Sequence, residues 1–259
     1  MGVSSNEPFF LSGSDHACLL LHGLGGGAYE FSLLGQALHQ QGLTVQAILY
    51  PGHDLALPRM PDSTWQAWYG HVQDTFDQLQ QCHSTVTVVG FSTGCPLALH
   101  LAAQRPVAKL VLLAPYIARL YRPWYVPLPL ERLLFSVGWW IQDVPRLRLP
   151  IRDEVMRREA EKVAFLPTFN LASVRSAIAL LEIVRQELPQ IQVPTLIIQS
   201  RRDSVVDPAG AQYLYDTLPS PVKILHWLKD SDHIIPLDLE RAEVFWVVGS
   251  FIVNSCLKR

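Results

Sequence analysis

Along the chain, apolar runs of strand length alternate with stretches whose apolar residues recur every three or four positions. The runs are ACLLLH (17–22), LTVQAILYP (43–51), TVTVVGF (85–91), KLVLLAP (109–115), TLIIQS (195–200) and VKILHW (222–227). Between them, AYEFSLLGQALHQQ (28–41) has helical periodicity and is stopped by Gly42. DSTWQAWYGHVQDTFDQLQQ (62–81) carries the stripe Trp65, Trp68, Tyr69, Val72, Phe76 and Leu79, with Asp62 or Ser63 as its N-cap. A further helix is predicted from Ser92, and a closing one over 238–257. Near-continuous apolar strands alternating with helices imply an α/β fold: a mostly parallel central sheet flanked by helices. Ligands of such sheets bind at the carboxyl ends of the strands. The residues just after each strand are therefore the informative ones.

One interval breaks the alternation. Residues 116–175 contain no strand-like run and are rich in Pro, Arg and aromatics. An interruption of this length predicts a helical cap inserted over the strand ends, leaving 1–115 and 176–259 as the core domain. Most of the cap aromatics are expected to dock it onto that core. Trp124, Trp139 and Trp140 are the candidates for a substrate pocket, and the adjacent Trp139 and Trp140 cannot share one narrow helix face. The cap arginines, among them Arg119, Arg122, Arg132, Arg146, Arg148 and Arg152, are expected to form a solvated face, with anionic head groups as the alternative contact.

Composition narrows the class. Of 259 residues, 49% are apolar and 17% charged, which excludes disorder and fits a well-buried sheet. A net charge of −2 gives no electrostatic footing for nucleic acid or an anionic membrane. Cys18, Cys82, Cys95 and Cys256 are scattered without CxxC spacing, as free thiols of a cytoplasmic protein would be. The start, MGVSSNEPFF, lacks a basic, apolar leader, and Asn6 stands where a myristoylation signal places Ser or Thr. VFWVVGSFIV near the end has about half the roughly 20 residues needed to span a bilayer. No integral membrane segment is expected, and the chain is expected to be a monomer or homodimer.

The chemistry concentrates at VTVVGFSTG. Ser92 sits between Gly90 and Gly94 on a predicted strand-to-helix corner. Such a corner thrusts the hydroxyl away from the sheet, demands small neighbours, and aims a helix N-terminus at developing negative charge. A serine nucleophile needs a base, and the base needs an acid to fix its tautomer. After Ser92 the chain has only His100, His226 and His233. His100 lies two turns into the elbow helix and His226 inside a strand, so His233, in the polar loop KDSDHIIPLD, is the base candidate. TLIIQS runs into RRDSVVDP, which offers Asp203 first and Asp207 in reserve, the latter reading as a helix N-cap before Pro208.

After the first apolar run comes HGLGGG (22–27), where glycines let backbone N–H groups crowd around a carbonyl oxygen. An oxyanion hole would take the N–H of Leu24 from this loop and that of Thr93 after the nucleophile. The rival reading is a dinucleotide loop, because Gly23, Gly25 and Ala28 fit its register. It lacks the acid about 20 residues on: the next run ends in Tyr50, and Asp54 lies beyond the Pro51–Gly52 turn.

HGLGGG, LYPGHDLALPRMPDSTWQAWYGHV, VVGFSTG, IIQSRRDSVVDP and DSDHIIPLD together resemble the α/β-hydrolase superfamily, and within it the small bacterial carboxylesterases and monoacylglycerol lipases. The resemblance spans nearly all of the chain outside the cap. It implies the α/β-hydrolase fold, a triad of Ser92, Asp203 and His233, oxyanion donors Leu24 and Thr93, and hydrolysis of short- to medium-chain esters or monoacylglycerols. It also implies a small-molecule ester substrate and neither metal nor cofactor. Two positions depart from the family pattern, which often has glycine where this chain has Cys95 and Asp232. Cys95 is expected to pack under the elbow, and Asp232 to raise the basicity of His233 through its charge. An acyltransferase with the same triad, or a silent ligand-binding member of the fold, are the alternative functions.

Overall fold

The computed structural model describes residues 5–53, 57–117, 142–163 and 166–254. Its centre is a seven-stranded sheet in the order β1-β3-β2-β4-β5-β8-β9. The strands are β1 (Phe9–Leu11), β2 (His16–Leu21), β3 (Thr44–Ala47), β4 (Thr85–Phe91), β5 (Lys109–Leu113), β8 (Thr195–Ser200) and β9 (Lys223–Leu228). Every neighbouring pair is parallel except β1, which runs antiparallel to β3 at the edge. β1 has only three residues, too short a run to carry a period.

The strands bury alternate residues into two cores, as a pleat requires. Leu19, Leu21, Val86, Val88, Leu110 and Leu112 join one core with α2 (Trp65–Cys82), α3 (Gly94–Gln104), α5 (Leu171–Glu187) and α6 (Ala209–Thr217). Cys18, Leu20, Val45, Val89, Phe91 and Val111 join the other with α1 (Ser32–Gln40), α4 (Glu154–Val163) and α7 (Arg241–Val253). With both faces covered, β4 and β8 are buried almost end to end. That burial is why they read as apolar runs rather than alternating ones.

Register positions the site. Leu21 pairs with Gly90, and Phe91 with Leu113, so the carboxyl ends of β2, β4 and β5 lie side by side. Ser200 pairs with Leu228, which brings the loops after β8 and β9 to the same edge.

The structure departs from the expected elements in a few places. The N-cap of α2 is Thr64, whose Oγ1 accepts the Ala67 N–H, rather than Asp62 or Ser63; the Ser63 Oγ instead accepts the Trp68 Nε1–H. The run 43–51 pairs only over Thr44–Ala47, because Tyr50 turns under the loop after β2 and hydrogen-bonds there. Helical turns at Ala28–Phe31 and Ile235–Leu237 are 3₁₀ and precede the α-helices proper.

Of the interval 116–175, the described part holds α4 and also β6 (Asp143–Pro145) and β7 (Thr168–Asn170), paired antiparallel with Val144 opposite Phe169. Three-residue strands leave no period in a sequence, so the reading of a mostly helical insertion did not include this pair. Trp124, Trp139 and Trp140, with Arg119, Arg122 and Arg132, fall outside the described residues, as does Cys256. Among the described residues no helix is long and apolar enough to cross a membrane.

Candidate active site

The elbow is built by steric necessity. Ser92 has φ 51°, a left-handed conformation that a serine adopts only when its surroundings enforce it. A Cβ on Gly90 would lie 2.6 Å from the Gly94 carbonyl oxygen, and one on Gly94 would lie 2.0 Å from that of Leu21. Backbone sits where a side chain would go, so the corner closes only with glycine at both positions. The Ser92 N–H donates to the Leu113 oxygen (2.9 Å). Beneath it the buried Cys95 thiol donates to the Gly90 oxygen (3.2 Å) and approaches that of Leu113 (3.4 Å). Burial pushes that thiol well above the ordinary range, so Cys95 packs as a neutral side chain under the elbow.

His233 reaches the corner from the loop after β9. Its Nε2 lies 2.9 Å from Ser92 Oγ and its Nδ1 lies 2.8 Å from Asp203 Oδ2. Asp203 is deeply buried just past β8. Its Oδ1 accepts the N–H groups of Val205 and Val206 (2.9 Å each), and its Oδ2 also accepts from Gln199 Nε2 (2.9 Å). Burial alone would raise this carboxyl; the charge and hydrogen bond of His233 and the two N–H groups outweigh it and hold the pKa below the usual carboxylate value. An ionised carboxylate only accepts, so Nδ1 carries the proton and Nε2 presents a lone pair to the serine hydroxyl.

The loop after β2 is held by side chains that sequence reasoning did not single out. The Gly23 N–H donates to Glu30 Oε2 (2.9 Å), and the Gly25 N–H to His53 Nε2 (3.0 Å). His22 donates from Nδ1 to the Gly23 oxygen (2.8 Å) and accepts the Tyr50 N–H at Nε2 (3.2 Å). Burial, then the neighbouring His53, push His22 well below its ordinary pKa, so it serves as a neutral clamp. Burial pushes Glu30 up to about 7, against the Gly23 N–H and the Arg146 charge, which pull it down. The loop thus aims Leu24 at the same space as Thr93. Neither the Leu24 nor the Thr93 N–H is engaged by another described residue, and both residues line one cavity with Ser92 and His233.

That cavity has a volume of about 880 Å³. Phe91, Tyr116, Leu171, Val174 and Val206 make much of its wall apolar, and Val144, Arg146, Arg148 and Phe169 close it from the 142–175 side.

The remaining candidates lie elsewhere. Asp207 Oδ1 accepts the Ala209 N–H at the start of α6, from one place before the N-cap, which is Pro208 rather than Asp207. His100 pairs with Glu187 and His226 with Glu243, both away from the serine. The Asp232 Oδ1 accepts the Ser204 N–H (2.9 Å) and hydroxyl (2.7 Å), tying the His233 loop to the Asp203 loop. Beside it the buried Asp238 carboxylate accepts four N–H groups, those of Asp232, Leu239, Arg152 and Asp153, and so pins the His233 loop to the 142–163 segment. Gln199 and Asp238 were missed, although polar residues closing or following apolar runs were a usable signal. Among the described residues no cluster of His, Cys, Asp and Glu could hold a metal ion.

The family model described as "Serine aminopeptidase, S33" (Hydrolase_4) matches residues 13–240. A carboxylesterase of Bacillus subtilis (strain 168) is 27% identical over 97% of this chain and 98% of its own length. A thermostable monoacylglycerol lipase of Bacillus sp. (strain H-257) is 26% identical over 92% of this chain and 91% of its own. Among solved structures, one reported for the metagenome-derived lipolytic enzymes LipS and LipT superposes with a TM-score of 0.84 at 23% identity, covering 97% of this chain and 99% of that one. The monoacylglycerol lipase of Paleococcus ferrophilus superposes at 0.80 with 19% identity, covering 95% and 97%. The parallel sheet, the elbow at its centre and these likenesses lead to one conclusion: the chain belongs to the S33 serine aminopeptidase family and is a hydrolase of the α/β-hydrolase fold, similar to carboxylesterases and monoacylglycerol lipases.

Proposed function

We propose that this protein is a serine esterase that cleaves short- to medium-chain acyl esters or monoacylglycerols through an acyl-enzyme on Ser92. The observation that carries the reading is the continuous hydrogen-bonded line from Ser92 Oγ through His233 to Asp203, 2.9 and 2.8 Å per link. His233 Nε2 takes the hydroxyl proton as Ser92 attacks the ester carbonyl. Asp203 holds the imidazole in its tautomer and stabilises the imidazolium that forms. The oxyanion forms against the N–H groups of Leu24 and Thr93, which stand at the cavity wall beside the serine. His233 then gives its proton to the leaving alkoxide. A water deprotonated by the same nitrogen attacks the acyl carbonyl, and the free acid leaves with Ser92 restored. Each step uses groups that this chain supplies.

The apolar wall formed by Phe91, Tyr116, Leu171 and Val174 suits an acyl chain, in keeping with the esters and monoacylglycerols for which its relatives are named. We take residues 116–175 as the cap over this cavity. The free thiols of Cys18, Cys82 and Cys95 suit the cytoplasm.

The test is hydrolysis of p-nitrophenyl esters from acetate to palmitate by wild type and Ser92→Ala, with labelling by a fluorophosphonate. Turnover should fall by about 10³-fold or more in the variant, and the label should map to Ser92. A wild type inactive on every ester, or full activity in Ser92→Ala, overturns the reading.

A further inference from the structure

The wall that faces the serine is made by one run of sequence, VPRLRLPIR, beginning in β6. Its side chains alternate much as in a strand. Val144, Arg146, Arg148, Pro150 and Arg152 line the cavity, joined by Leu149, while Leu147 is 93% exposed and Ile151 is buried in the core. Three arginines therefore line one side of a cavity whose wall is otherwise largely apolar.

The acids that flank the run are engaged elsewhere. Asp143 and Asp153, which flank the run, pair with other arginines, Arg59 (3.7 Å) and Arg241 (2.7 Å). The acids lining the cavity are Glu30 and Asp232. Glu30 accepts the Gly23 N–H and Asp232 accepts from Ser204. Arg146 stacks on the Phe169 ring with its guanidinium carbon 4.6 Å from the centroid. Its Nη2 lies 3.5 Å from the Leu24 oxygen, so it braces the wall against the loop after β2. Arg148 and Arg152 form no ion pair with any described residue.

We propose that this arginine wall selects esters bearing a second, anionic group, a carboxylate or phosphate, on the acyl or alcohol arm away from the scissile bond. Arg148 and Arg152 receive the anion, and Arg146 fixes the wall that presents them. A guanidinium offers planar paired donors that match either oxyanion, and a low-dielectric cleft strengthens the attraction. The proposal rests on the serine esterase reading and names a substrate class for it.

The experiment compares two substrate pairs. Mono-p-nitrophenyl adipate and p-nitrophenyl hexanoate have equal chains and differ in a terminal carboxylate on the acyl arm. Butyrylglycerol phosphate and monobutyrylglycerol differ in a phosphate on the alcohol arm. In at least one pair the anionic ester should have the higher kcat/KM, by about 5- to 10-fold, and raised salt should shrink the ratio. The ratio should fall to about one in Arg148→Gln/Arg152→Gln. A ratio of one or below in both pairs, or a ratio unchanged in the double variant, overturns the proposal.

Calorimetric binding of the intact esters of both pairs to Ser92→Ala gives an answer that does not depend on turnover: in at least one pair the anionic ester should bind more tightly, and equal binding in both pairs overturns the proposal. A binding preference for the anionic ester without hydrolysis of any ester by wild type would instead strike the esterase reading and leave the wall standing.

Discussion

The two sides of the cavity are built on opposite principles. On the sheet side, Ser92, Asp203 and His233 are all buried, and the proposed catalytic line is held by hydrogen bonds whose donors and acceptors are themselves fixed. On the facing side, Arg148 and Arg152 are exposed, and Leu147, next to Arg148, is almost wholly solvated. Bond-making chemistry tolerates little error in position, and strand ends braced by backbone suit the line proposed for it. Choice among substrates needs only a field and a shape, and a single extended segment can provide both. The contrast predicts that substitutions on the sheet side stop the reaction or the fold, whereas those on the facing side redirect it.

The largest effects should come from the hydrogen-bonded line. His233→Ala removes the base and should lower kcat by about 10³-fold or more, while circular dichroism and the melting temperature stay close to wild type. Asp203→Asn should cost a comparable factor for a different reason. An amide can present its N–H₂ to His233 Nδ1, which favours the tautomer whose proton sits on Nε2, facing the serine. A variant of either kind that kept full activity would break the comparison outright. In stability terms, Gly94→Ala is the severe change on this side, because the added carbon meets the Leu21 carbonyl at 2.0 Å. It should destabilise by about 3 kcal/mol or more, read by urea denaturation.

The same contrast explains what the sequence disclosed. β4 and β8 were legible to the residue because burial on both faces writes an apolar run; Ser92 and Asp203 stood out as candidates just after those runs, and His233 as the one histidine beyond Ser92 in a polar loop after a strand. Glu30 and His53 were not. They clamp Gly23 and Gly25 from positions that carry no periodic signal, and a buried carboxylate in a 3₁₀ turn looks like any surface glutamate until the loop folds onto it. The bond from Asp232 to Ser204 was not legible either, because it joins two loops 28 residues apart. The arginines of the facing wall were visible as residues but not as a wall, because which face of VPRLRLPIR meets the cavity depends on β6 pairing with β7.

A change of intermediate size should come from Glu30, which belongs to the sheet side yet touches none of the reacting atoms. Its folded pKa is raised to about 7 from an ordinary 4.5, chiefly by burial. For a carboxyl so raised, the unfolded chain ionises first as pH climbs. Stability relative to a non-titrating residue is therefore fully present below about pH 4.5 and declines until the folded group ionises near pH 7. Glu30→Gln keeps an acceptor for the Gly23 N–H and removes the titration. The stability of Glu30→Gln minus that of wild type should rise across that window, by up to about 3 kcal/mol, and stay flat above it. Denaturation curves of both proteins at pH 5 and pH 8 measure this gap directly. A gap that does not change with pH would show that Glu30 already carries its charge in the folded loop.

The smallest effect sharpens the other half of the comparison. Leu147 lies between Arg146 and Arg148 on the run that faces the serine, yet it is 93% exposed and belongs to neither core. If that run acts through the side chains at alternate positions, the identity of residue 147 is immaterial to the cavity. Leu147→Ser should then change stability by no more than about 0.5 kcal/mol. It should also leave both kcat and the anionic-to-neutral ester ratio at their wild-type values. Moving the same substitution one place along, to Arg148→Ser, should lower the ratio while the melting temperature holds. The pair of variants separates a wall with two distinct faces from a loosely held loop in which neighbouring positions exchange roles. In the loop case Leu147→Ser would shift the ratio as much as Arg148→Ser does.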